Sequence, residues 1–333
     1  MENASRQSYV WKFVKQYHAM AKNRMKPLFM WAGGKNKMIP KYTAANVLPT
    51  TFDRYIEPFM GGGAMFIWAY QQNPEASFVI NDLNAGIMSI YEAIKNDVET
   101  FITYMDEMSA EYIPLPKGKT NKVLEKEKEK DWKVLFDINP CRRYYYFRLR
   151  NLHAFEYQDW SKTKEAAVLY FLMKTGFNGI WQENKNTNGR FGTPAGLLNQ
   201  KEEVYNKENV RAWHTALQNC TLMTGDFSDT QQHITQNSYV FLDPPYRGSF
   251  TQYEVDFDDK IQQSVIDYLN EAKQTGAYVM MSNRDIDDGF FEERLGNNRL
   301  LHFDVTYTAG RRKKTEDGFE AKKAKEILMI GVK

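Results

Sequence analysis

Cysteine is scarce, with only Cys141 and Cys220 in 333 residues. They stand far apart, and no His or Cys lies at ligand spacing from either. A disulfide framework is thereby disfavoured, as is a zinc site, and no metal is expected. No apolar run approaches the roughly 18 residues a membrane span needs. The first residues set Trp11, Phe13 and Val14 among lysines and polar side chains, without the apolar stretch of a signal peptide. The expectation is a protein of the reducing cytosol that makes no membrane contact. Charge of one sign is also lacking, because the net charge is only +2. Nucleic-acid contact would therefore have to come from local clusters of basic residues. G-x-G-x-x-G and P-loop spacings are absent too, which disfavours a nicotinamide dehydrogenase and a P-loop phosphate cradle. Aromatics, by contrast, are plentiful: 21 Phe, 20 Tyr and 7 Trp.

The most informative stretch is Val240-Phe241-Leu242-Asp243-Pro244-Pro245-Tyr246. Tyr239 to Leu242 reads as a short buried strand. Two prolines cannot extend a sheet ladder, so the strand stops with Asp243 at its carboxyl end, where open α/β sheets place ligands. Prolines also remove N–H donors, leaving backbone carbonyls as free acceptors beside the carboxylate. Tyr246 offers a face for stacking a planar ring. Such a set suits a substrate with an exocyclic amino group, such as N6 of adenine.

Other segments complete an α/β pattern. Phe29-Met30-Trp31-Ala32-Gly33-Gly34-Lys35 combines paired glycines, a cation and a stacking face. Arg54 to Glu57 reads as a strand, and Pro58-Phe59-Met60-Gly61-Gly62-Gly63 as a glycine turn feeding a helix N-terminus, the device that binds nucleotide-like cofactors. Ser77 to Asn81 is a second strand ending in Asp82, an acid placed to bind ribose hydroxyls. Thr221 to Thr224, Ala277 to Met281, and a last antiparallel pair over Leu300–Thr308 and Glu326–Val332 supply further strands. A helix is expected from about Asp259 to Lys273.

Between about Asp97 and Cys220 the strand–helix alternation lapses. Glu125 to Lys130 alternates charge and reads as a solvated helix face. Arg142 to Asn151 interleaves arginines with aromatics, a pattern open to nucleic-acid contact or to rings facing a core. A helix from about Lys201 to Asn219 closes this region. The amino-terminal arm, 1–27, holds a short helix over about Ser8 to Lys22 that packs on the core or touches a partner.

Asp-Pro-Pro-Tyr, Trp-Ala-Gly-Gly-Lys, Glu-Pro-Phe-x-Gly-Gly-Gly and Phe-Asn-Gly, the last at Phe177–Gly179, together resemble the Dam-like (D12 class, alpha group) DNA N6-adenine methyltransferases over about residues 28–332. The resemblance implies a Rossmann-like α/β fold, a seven-stranded sheet with helices on both faces. It implies a catalytic core from 28–96 and 221–333, and a mostly helical target-recognition insert from 97–220. S-adenosyl-L-methionine is the implied cofactor and double-stranded DNA the implied partner, in a bacterial or phage setting; nothing in the sequence shows whether a restriction endonuclease partner exists. Asp243, Pro244, Pro245 and Tyr246 would carry catalysis. Trp31, Ala32, Gly33, Lys35, Glu57, Pro58, Phe59, Gly61, Gly62, Gly63, Asp82, Asp226, Phe227 and Asp243 would face the cofactor. Lys185, Asn186, Asn188, Arg190, Arg311 and Arg312 would contact DNA. Gln182 to Asn188 lacks the family's arginine-bearing base-reading stretch, so a target other than strict GATC is expected. Other readings are an N4-cytosine, RNA or protein-glutamine methyltransferase, or an inactive nucleic-acid-binding module.

Overall fold

A computed structural model describes residues 25–31, 33–113, 136–137, 141–196, 203–247, 257–307, 313–315, 318–320 and 322–331. Ala32, Arg311, Arg312, the expected helix over Ser8–Lys22 and the charged run Glu125–Lys130 lie outside these residues. The chain divides into two compact units, one from Met1–Ala32 with Ser89–Gln218, the other from Gly33–Met88 with Asn219–Lys333.

The second unit is built on strands β1 (Arg54–Glu57), β2 (Ser77–Asp82), β3 (Cys220–Thr224), β4 (Ser238–Leu242), β5 (Tyr278–Asp285), β6 (Arg299–Tyr307) and β9 (Lys322–Gly331). Between β6 and β9, β7 (Lys313–Thr315) and β8 (Gly318–Glu320) pair antiparallel as a separate ribbon. The seven-stranded sheet runs β3-β2-β1-β4-β5-β9-β6. Strands β1 to β5 are parallel, and β9 enters antiparallel between β5 and β6. Strand order reverses between β1 and β4, the switch point where such sheets open a crevice at their carboxyl ends.

Both faces of the sheet are covered, which is why its central strands read as nearly continuous apolar runs. Tyr55, Phe78, Tyr239 and Tyr278 lie opposite one another in register and form an aromatic face. The helix Ala64–Gln72 packs there through Phe66, Trp68 and Tyr70. Alternation turns Ile56, Val79, Val240 and Val279 to the other face, where Val265, Ile266, Leu269 and Ala272 of the helix Asp259–Gln274 meet them. Strand β5 runs past Met281, where the apolar run ends, because its ladder with β9 continues to Asp285 opposite Lys325.

The first unit is helical, with Val98–Glu111, Arg142–Phe155, Lys162–Thr175 and Lys207–Leu217. The last of these starts later than its pattern implies, since Asn206 caps it by accepting from the Asn209 N–H at 2.7 Å. Tyr144, Tyr145, Tyr146 and Phe147 are buried, so the aromatics of this arginine-rich helix face a core. Arg150 donates to the carbonyls of Gly192 and Thr193 at 3.0 and 3.1 Å. Residues 25–31 also pack here: Trp213 Nε1 donates to the Lys26 carbonyl, and Tyr91 lies against both Phe29 and Trp213. No helix among the described residues is long and apolar enough to cross a membrane.

Candidate active site

The predicted cofactor and catalytic residues of the second unit gather at the carboxyl ends of four adjacent strands. After β1, Gly61 and Gly63 adopt φ of 46° and 69°, values that glycine takes without a Cβ clash. Gly63 then caps the helix that begins at Ala64. The turn is tied to β2 from both sides. Gly61 N–H donates to Asp82 Oδ2 at 2.8 Å, and Asn81 Nδ2 donates to the Pro58 and Gly225 carbonyls at 3.0 Å each. Asp82 Oδ1 accepts from Asn84 N–H at 2.9 Å. Burial pushes the Asp82 carboxyl up to about 6, against the lowering effect of those two N–H donors.

Strand β3 contributes through register. Asp82 pairs with Thr224, so Asp226 and Phe227 emerge beside it. Phe227 stacks on Phe59 at 5.2 Å and 27°. Asp226 is exposed and caps the following turn through Ser228 N–H at 2.9 Å. Glu57 is buried and accepts from the Tyr55 hydroxyl at 2.8 Å. Desolvation holds its carboxyl well above the usual range, despite that bond.

Asp243 stands at the end of β4 with both oxygens engaged. Lys35 Nζ donates to Oδ2 at 2.6 Å, and Ser282 Oγ donates to Oδ1 at 2.7 Å. Lys35 is only 2 % exposed, also donates to the Gly33 carbonyl at 2.8 Å, and lies 4.8 Å above the Tyr246 ring. The Tyr246 hydroxyl donates to Glu326 Oε2 at 3.2 Å. Each oxygen of Asp243 keeps a further lone pair. The arrangement is an anionic acceptor with fixed orientation, beside a ring face and a proline carbonyl to which no described residue donates.

Other predicted residues sit in the first unit or outside the described residues. Trp31 packs at 5.9 Å from Phe29 and 6.3 Å from Trp181. Lys185, Asn186 and Asn188 are exposed on a tight loop that Thr187 braces by donating to the Arg190 carbonyl at 2.7 Å. Arg190 behaves otherwise. It pairs with Glu165, donates to His153 Nε2 at 3.2 Å and covers the Tyr157 ring at 3.5 Å. Burial, with Arg190 nearby, pushes the His153 imidazole down to about 3, leaving it a neutral acceptor. Nη2 of Arg190 is therefore engaged within this unit, and any contact with DNA falls to its remaining donors.

Ser282 and Gln262 escaped the site assignment made from sequence. Their signal was a polar residue in an apolar pattern: Ser282 extends the apolar run of β5, and Gln262 precedes Val265, Ile266 and Leu269 on the buried stripe of its helix.

A five-stranded parallel sheet extended by an antiparallel pair, with a glycine turn and an acid after its first two strands, is the fold of S-adenosylmethionine-dependent methyltransferases. Asp-Pro-Pro-Tyr after the fourth strand marks those that act on an amino group. The family model described as D12 class N6 adenine-specific DNA methyltransferase matches residues 31–309, and the chain belongs to that family. Among curated relatives, the type II methyltransferase M.MjaIII of Methanocaldococcus jannaschii is 29% identical over 268 residues, covering 78% of this chain and 84% of that protein. The retron Ec67 DNA adenine methylase of Escherichia coli is 25% identical, covering 92% and 91%. A DNA adenine methylase of Haemophilus influenzae is 23% identical, covering 79% and 81%. DNA adenine methylation is thus the reaction class, and use of S-adenosylmethionine follows from family and fold.

Proposed function

We propose that the chain methylates N6 of an adenine turned out of double-stranded DNA, with Asp243 and the Pro244 carbonyl accepting hydrogen bonds from the two amino N–H groups. The supporting observation is the fixed carboxylate of Asp243 at the switch-point end of β4, held on opposite oxygens by Lys35 and Ser282. The N6 lone pair is delocalised into the ring, which makes the amino group a poor nucleophile. Two acceptors favour a pyramidal nitrogen and localise that pair. The carboxylate also stabilises the positive charge that develops on N6. Tyr246 stacks the extruded base, which must leave the duplex to reach this site.

The residues after β1, β2 and β3 fit S-adenosylmethionine. Side-chain-free glycines permit close backbone approach, and Asn81 Oδ1 is a buried acceptor without a partner among the described residues. Asp82 would accept from the ribose hydroxyls through its remaining lone pairs, Asp226 would accept from the adenine amino group, and Phe227 would line the ring. When bound, the cofactor supplies an electrophilic methyl group. Lys35 acts chiefly on Asp243 by orienting it.

The units divide the labour, with 33–88 and 219–333 catalytic and 89–218 recognising the target. Lys185, Asn186 and Asn188 project from the recognition loop, and Asn–adenine pairing would discriminate by ~1–3 kcal/mol per contact. Arg311 and Arg312 contact phosphates. The test is transfer of labelled methyl from cofactor to DNA, followed by nucleoside digestion. N6-methyladenine is expected; N4-methylcytosine, or binding without transfer, would overturn the reading. Mapping of products on random-sequence DNA should give sites other than strict GATC, and a product confined to GATC would refute that expectation.

A further inference from the structure

The Asp-Pro-Pro-Tyr turn is held from behind by a pair of buried amides. Gln262, on the helix Asp259–Gln274, is 0% exposed, and so is Asn283 of β5. Gln262 Nε2 donates to the Pro245 carbonyl at 2.7 Å. Its Oε1 accepts from Asn283 Nδ2 at 2.8 Å. Asn283 Oδ1 in turn accepts from Arg247 N–H at 3.1 Å and Arg284 N–H at 2.8 Å. The peptide groups on both sides of Tyr246 are thereby fixed by one relay. Arg247 anchors the far end, chelated by Asp259 at 2.8 Å and Asp288 at 2.7 Å, with its guanidinium 3.8 Å over Phe290.

The relay has a chemical consequence. Two prolines in succession leave two carbonyls that an amino group could meet, yet transfer requires one of them in one orientation. Gln262 engages one lone pair of the Pro245 carbonyl and so fixes the plane of that peptide, whereas no described residue donates to the Pro244 carbonyl. We propose that Gln262, seconded by Asn283, is a positioning residue for methyl transfer, fixing the Pro245 peptide so that the Pro244 carbonyl is presented beside Asp243 and setting the plane of Tyr246. An unspecialised core position would not place an amide here. A buried polar group is costly unless fully bonded, and this one spends its donor on the catalytic loop rather than on its own helix. The inference rests on the adenine-N6 reading above.

Two variants test it. Gln262→Met removes the donor at similar volume, and Gln262→Asn keeps an amide but shortens its reach by one methylene. Each is assayed for kcat per cofactor-binding site, with KM for cofactor and DNA measured separately. Because displacement of reacting groups by about 1 Å can cost about 100-fold, kcat should fall about 10- to 100-fold with both KM values within about two-fold of wild type. A merely structural residue would lower the number of binding-competent sites while leaving kcat per site unchanged. Should the Met variant fail to fold, the Asn variant decides alone. A kcat per site within about two-fold of wild type in the folded variant overturns the inference while leaving the reaction intact. Absence of N6-methyladenine from the wild-type product overturns the underlying reading and the inference together.

Discussion

Asp82 carries a carboxylate that the fold makes costly to ionise. Its ordinary value lies near 3.8 and burial raises it to about 6, a displacement worth ~3 kcal/mol. Below the ordinary value the group is protonated in both native and unfolded chains and contributes nothing. As pH rises between the two values, the unfolded chain releases the proton first, so native stability declines. Above about 6 the full cost is present and constant. Asp82→Asn removes this titration but leaves one of two backbone N–H donors, from Gly61 and Asn84, without its acceptor. That loss is worth ~1 kcal/mol at any pH. The variant should thus be less stable than wild type by ~0.5 kcal/mol near pH 4, where about half of the unfolded chains have already released the proton, and more stable by ~2 kcal/mol above about pH 6. Urea unfolding of both proteins at intervals between about pH 4 and 8 measures the difference, in which contributions from all other groups cancel. A difference that stays flat across this window would refute the assignment of a buried, raised carboxyl. The same variant should bind cofactor about 10- to 100-fold more weakly, since a charged acceptor is lost, with DNA affinity unchanged when cofactor is absent. Greater stability with weaker binding is what a strained functional carboxylate predicts.

Asp243→Ala should reduce turnover to below a few per cent while cofactor affinity changes far less; turnover above that level, measured by methyl transfer, would remove Asp243 from catalysis. Tyr55→Phe strips the buried Glu57 of its hydroxyl donor and should cost ~1–3 kcal/mol in thermal unfolding. Tyr239→Phe, whose hydroxyl among the described residues meets only the sulfur of Met280 at 3.4 Å, should cost less, and a reversed order would contradict the role given to Glu57. At Gly179, with φ of +61°, an added Cβ would come within 2.6 Å of Met30 Cβ. Gly179→Ala should therefore destabilise by more than ~1 kcal/mol in urea unfolding, and a neutral result would mean that the turn relaxes.

Much of the sheet-bearing unit was legible because its signals are local. Strand β4 had to stop at Asp243, since proline cannot continue a ladder. Gly61 and Gly63 had to turn, and the apolar runs had to be covered on both faces. Such constraints act within a few residues of chain, so reading them requires no partner. What the chain alone left open were choices made by residues far apart in sequence. The rings of Tyr144 to Phe147 could have served bases or a core, and packing within the helical unit decided for the core. Arg190 carries the charge expected of a phosphate contact, yet Glu165 and Tyr157 lie close enough to claim it. Lys35 and Ser282 converge on Asp243 from 208 and 39 positions away. Gln262 shows the limit most plainly. Its place on an apolar stripe marks it as unusual, but only the register of β4 beside β5, with the helix laid over them, brings its amide to the Pro245 carbonyl. Sequence determines which backbone a segment can adopt; which donors meet which acceptors depends on distances set once the whole sheet is assembled.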